Sequence, residues 1–109
     1  MADESDIKKY LPLTEATYYI MIALVEPLHG YAVMQKVEQI SQGTARVGPG
    51  TLYGVFTTLE QAELITKVKE EDRRKSYMLT PKGRRLLVSQ IKRLEIMTGN
   101  GLAAMNRIG

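Results

Sequence analysis

The spacing of the apolar residues changes twice in the second half of the chain. Leu52, Val55, Phe56, Leu59 and Ala62 fall at i, i+3, i+4, i+7 and i+10, one face of a helix. "LITKVK" and "KSYML" then carry the Val, Ile, Thr and Tyr typical of strands around the polar turn "EEDRR". That pattern predicts a β-hairpin over residues 64–69 and 75–79. Thr80-Pro81 begins a helix again, with threonine as cap and proline at the first helical position, where no N–H is needed. A fold for this chain therefore has to hold a hairpin between two helices.

Two further helices are expected upstream. "LTEATYYIMIALVEP" predicts one over residues 14–25, capped by Thr14 and stopped by Pro27. It is apolar almost all round, so it is buried on more than one side, in its own domain or in a dimer. Val33, Val37 and Ile40 mark the buried stripe of the next, after a turn at Gly30 and ending near Gly43. Pro49, behind Gly48, opens the third. The last helix carries Leu87, Ile91 and Leu94, and its heptad ladder runs on to Thr98, Gly101, Met105 and Ile108. The fold class read from this order is mainly α with a small β-hairpin wing. Residues 1–80 form a winged helix-turn-helix domain, with 1–10 disordered or loosely ordered, and residues 81–109 form a C-terminal dimerisation helix.

Charge is divided along the chain. Residues 1–66 hold four basic and eight acidic residues, a net of −4, whereas residues 67–109 hold eleven basic and four acidic, a net of +7. A localised basic field suits a polyanion, because phosphate contacts release counterions and dominate affinity. With 109 residues the chain is expected to be one small domain that gains from a partner. Cysteine is absent, which excludes disulfides and thiolate metal sites and fits a cytoplasmic location. No apolar run reaches membrane-spanning length, and "MADESDIKKY" has no apolar core of a secretion signal. Enzymatic chemistry has little to stand on. His29 is the only histidine and reads as a turn residue. Glu15, Glu38, Glu60 and Glu63 sit apart without metal-ligand spacing, and "GPGTLYG" lacks the lysine of a phosphate-binding loop. No cofactor is expected.

"HGY" at 29–31, "GTLY" at 50–53, "LE" at 59–60, "LI" at 64–65, "RRKSY" at 73–77 and "LTPKG" at 79–83, in this order, resemble the PadR family of transcriptional regulators. The resemblance implies a repressor that dimerises through its C-terminal helix and binds a pseudo-palindromic operator in double-stranded DNA. It also allows a small aromatic effector at or near the dimer interface, for which Met21, Met97, Met105, Tyr18 and Tyr19 are candidate lining; at helical spacing they equally suit plain core or seam. A sensor or protein-interaction module on the same fold, with weak DNA binding, is the alternative. The chain departs from the family in four places. Thr57 and Thr58 stand where lysine or arginine is usual, Gly48 where serine caps, Glu63 where glycine ends the recognition helix, and Asp72 where the wing has glycine. The third departure opens the way to a different helix end.

The helix at residues 49–62 has no cation, so it needs positive charge from elsewhere. Thr51, Tyr53, Thr57 and Thr58 are the candidates for contacts to base edges or phosphates. Lys67, Lys69, Arg73, Arg74 and Lys75 of the wing supply the attraction, with Lys36 on the outer side of the second helix. The acidic trio Glu70, Glu71 and Asp72 would repel phosphate if all three faced DNA, so Glu70 and Glu71 are expected to turn outward while Arg73 and Arg74 approach the backbone or minor groove. Lys82, Arg84 and Arg85 are disfavoured near a helix N-terminus and need compensation, by a phosphate or by carboxylates. The dimer seam is expected at residues 87–97, formed by Leu87, Ile91, Leu94 and Met97 with Ile20 and Leu24 of the first helix. Beyond "TGNG", residues 102–108 are expected as a kinked continuation or a short separate helix.

Overall fold

A computed structural model of the chain describes residues 5–109, and of Lys69 its backbone alone. The order is α1 (Ser5–Lys8), α2 (Glu15–Ala23), β1 (Leu28–His29), α3 (Gly30–Ile40), α4 (Pro49–Gln61), β2 (Ile65–Glu71), β3 (Arg74–Leu79) and α5 (Pro81–Ile108). It is a mainly helical winged fold. The three strands form one antiparallel sheet in the order β1-β3-β2.

The caps follow the residues that allow them. Thr14 Oγ1 accepts the Thr17 N–H at 3.1 Å, and Thr80 Oγ1 accepts the Gly83 N–H at 3.0 Å. Each satisfies a donor that the first turn of a helix leaves free. Between α3 and α4 the buried Ser41 hydroxyl donates to the Ala45 carbonyl and accepts the Ala45 N–H, which fixes the turn that sets α4 against α3. Ile20, Met21 and Leu24 from α2 and its end, Val33 and Val37 from α3, Leu52, Phe56 and Leu59 from α4, Ile65 and Leu79 from the sheet, and Leu86 from α5 form one core.

Several expectations need correction. Residues 5–10 are not a loose tail: Ile7 of α1 is 1% exposed against α5, and Asp6 takes both arms of the Arg85 guanidinium at 2.9 and 3.2 Å. Within residues 5–10, one well-placed isoleucine and one carboxylate are enough to dock the segment. Glu63 keeps the helix end for which glycine is usual. At φ 61° it is left-handed; its N–H donates to the Glu60 carbonyl, and the Leu64 N–H donates to the Leu59 carbonyl. This is the paired closure of a Schellman end, completed at the energetic cost of a side chain in that region. The hairpin is longer than expected because Asp72 (φ 48°) and Arg73 (φ 66°) alone make the turn, both positive as a type I′ turn requires. A bulge at Val68 shifts the register between Lys67 and Lys69.

α5 runs unbroken over 28 residues, roughly 42 Å, straight through "TGNG". There is no separate terminal helix. Its first ten residues bury Gly83, Leu86, Leu87 and Gln90 against the domain, and everything from Glu95 onward is exposed. Ile20 and Leu24 are fully buried and Leu87 is 5% exposed, all within the protomer's own core. These three therefore offer no surface to a second copy. Ile91 and Leu94 are half-buried, Ile91 against that core, and Met97 is 62% exposed.

Candidate nucleic-acid interface

α4 buries Leu52, Phe56 and Leu59 and turns its other side to solvent, with Thr51, Tyr53, Thr57 and Thr58 all exposed. The exposed residues divide between two flanks. Thr51 and Thr58 border a shallow groove of about 420 Å³ together with Thr17 of α2, Gly50 and Gly54. Tyr53 lies on the opposite flank, its ring edge-on to Phe56 at 6.0 Å. Thr57 stands between them, and its hydroxyl donates to the Tyr53 carbonyl at 2.9 Å, which leaves its lone pairs free to accept.

The Tyr53 flank faces the wing across a cleft of about 240 Å³. Arg73, Arg74 and Lys75 line it with Tyr53, and so do Tyr77 and the start of α3 from His29 to Tyr31. Thus the structure brings Tyr53 and three of the wing cations together, while Thr51 and Thr58 lie apart on the other flank. Lys67 is exposed on β2 opposite Tyr77, and Lys36 is half-buried on α3; neither lines the cleft. Lys69 pairs with Ser76 through its backbone, and its side chain lies outside the described residues.

Glu70 and Glu71 do not line the cleft. The register sets Glu71 directly across from Arg74 and Glu70 across from Lys75, so each acid shares a strand face with a base. Even so, Arg73, Arg74 and Lys75 have no ion-pair partner among the described residues. At the start of α5 the compensation is intramolecular. Arg85 binds Asp6, and Lys82 donates to the Ala62 carbonyl at 2.9 Å, where a cation meets the negative end of α4. Arg84 reaches the Val25 carbonyl at 3.4 Å.

His29, Gly30, Tyr31 and Tyr77 are the cleft residues that sequence reasoning did not assign. The missing link is β1, whose two residues pair with Tyr77 and Ser76 and so place the start of α3 beside the wing. Gly30 lets the Tyr53 ring sit close, since a Cβ there would lie 2.7 Å from its hydroxyl and push the ring aside. Tyr77 packs on Phe56 at 4.9 Å, and burial, with Glu60 nearby, pushes its hydroxyl pKa up. Within one protomer the methionines offered as effector lining lie apart. Met21 is fully buried, while Met97 and Met105 are exposed far along α5.

Residues 20–89 match the model of the transcriptional regulator PadR-like family. The chain belongs to that family. Its members are transcriptional regulators, not enzymes. Over 86 residues it is 37% identical to an uncharacterised 37.1 kDa protein in transposon TN4556 of Streptomyces fradiae, covering 78% of this chain and 24% of that protein. Over 69 residues it is 30% identical to the transcriptional regulator YqjI of Escherichia coli strain K12, covering 63% of this chain and 33% of that one. The chain thus spans between a quarter and a third of the length of these curated relatives. A PadR-like transcriptional regulator from Bacillus cereus strain ATCC 14579 shares the fold at a TM-score of 0.70 and 19% identity, over 93% of this chain and 96% of that one. Among the described residues no helix is long and apolar enough to cross a membrane.

Proposed function

We propose that the protein is a cytoplasmic, homodimeric repressor that binds a pseudo-palindromic operator in double-stranded DNA. The observation that carries this reading is the meeting of Tyr53 from α4, a helix without a cation, with Arg73, Arg74 and Lys75 of the wing, which have no ion-pair partner among the described residues. Discrimination and attraction are then assigned to different elements. α4 supplies hydroxyls and methyls suited to base edges in a major groove, and the wing supplies charge for phosphates.

Dimerisation is supported by the far half of α5. Past the half-buried Leu94, Met97, Leu102, Met105 and Ile108 continue the helix face that is buried nearer the domain, but here none of the described residues covers them. A projecting helix with this much bare apolar surface is stable and soluble when a second helix covers it. The seam is accordingly shifted outward from residues 87–97 to 94–108. A mobility-shift assay on DNA flanking the gene, using any inverted repeat found there against random duplex, tests the function. Preferential retardation of the repeat is expected; equal or absent retardation of both duplexes overturns the reading.

A further inference from the structure

The cleft between the start of α3, Tyr53 and the wing has a chemistry of its own. Lys75 and Tyr77 share one face of β3, and Arg73 and Arg74 close the wing end. None of the three cations is neutralised by a described carboxylate, and Glu70, directly across from Lys75, does not line the cleft. Tyr53 lends a hydroxyl with no hydrogen-bond partner among the described residues, seated over the bare α-carbon of Gly30. His29 accepts the Ala32 N–H at Nδ1, at 3.4 Å, which leaves Nε2 as its donor. An ammonium, two guanidiniums, an imidazole N–H and a hydroxyl are nearly all donors. A nucleobase edge presents donors as well as acceptors, whereas a phosphodiester presents acceptors only and carries charge.

We propose that this cleft seats one backbone phosphate of double-stranded DNA, held by Lys75, Arg73 and the Tyr53 hydroxyl, with His29 as a further donor. The inference rests on the DNA-binding reading and adds to it a single fixed phosphate contact. That contact would tie the wing, α3 and α4 to one point on the duplex and so set the register in which α4 meets the bases.

The test uses a duplex selected from a randomised pool by the wild-type protein. Each phosphate in a half-site is replaced in turn by an uncharged methylphosphonate. For the wild type, one phosphate per half-site should weaken binding by roughly tenfold when neutralised. In Tyr53→Phe with Lys75→Gln, neutralising that same phosphate should have no more than about a threefold effect, because two of its partners are already gone. Lys67→Gln, outside the cleft, should keep the full sensitivity. His29→Asn retains a capping side chain and should lose part of it without a change in melting temperature. If the wild type binds its selected duplex but every phosphate has the same effect on the double variant, the seat is wrong and DNA binding stands. If the wild type selects and binds no duplex, both readings fall.

Discussion

Glu63, Asp72 and Arg73 occupy left-handed backbone that side chains disfavour, and each stands where the fold cannot do without that conformation. Glu63 closes α4 and presents its carbonyl to the Thr80 hydroxyl at 2.7 Å, joining the end of one helix to the cap of the next. Relieving the strain there should be favourable. Glu63→Gly is expected to stabilise the protein by about 1 kcal/mol in chemical denaturation, with the helix end unchanged. A loss of stability would mean that the Glu63 side chain contributes something the backbone geometry does not reveal. Gly83 is the opposite case. A Cβ there would run into the Leu64 carbonyl, which already accepts the Thr80 N–H, so the obstacle is backbone. Gly83→Ala should therefore cost about 1–3 kcal/mol, read from the same denaturation curves.

At the scale of elements, what was legible in the sequence was what periodicity and proline could announce. Pro49, Pro81 and the apolar stripes located α4, α5 and the hairpin. β1 has only two residues and exists through its pairing with β3, so no local pattern marks it, and the cleft residues His29 and Tyr31 were missed with it. α1 was missed because its place depends on Ile7 and Asp6 finding partners on α5, almost eighty residues away. That latch has a pH signature. The Arg85 guanidinium beside Asp6 holds its carboxyl below the ordinary value of 3.8. The stability it adds is thus present in full above that value and is lost as pH falls through the lowered one. The Ile7 methyl resonances should report a docked α1 at neutral pH and release only in strong acid, whereas Asp6→Asn should loosen it at neutral pH. For the wing, Arg73→Ala with Arg74→Ala should weaken binding alike on specific and random DNA. The slope of log affinity against log salt should fall by up to roughly 2, and an unchanged slope would remove both residues from the phosphate contacts. Thr57→Ala with Thr58→Ala should instead change a selection profile at one position of the site, by about 1–3 kcal/mol.

The described residues extend 54 Å along their longest axis, and α5 is exposed from Glu95 onward. The sequence announced the apolar ladder of that helix but not which rungs the protomer covers. Leu87 had the same spacing as Met105, and only the packing of α5 on α2 shows that the first is core. Two glycines in "TGNG" suggested a break, yet a helix continued by good formers on both sides tolerates about 1 kcal/mol at each. In the proposed dimer the bare stripe is the two-fold seam, and a two-fold protein matches an inverted repeat. Leu102 and Met105 are 58% and 59% exposed, so charges placed there leave the domain intact. Sedimentation of the wild type and of Leu102→Asp with Met105→Asp, each alone and on a duplex carrying the inverted repeat, tests the account most directly. The wild type should be dimeric at micromolar concentration and load two protomers per duplex. The variant should be a folded monomer that needs at least roughly tenfold more protein to shift the same duplex. A wild-type monomer, or a variant that remains dimeric and binds the repeat equally well, would contradict it.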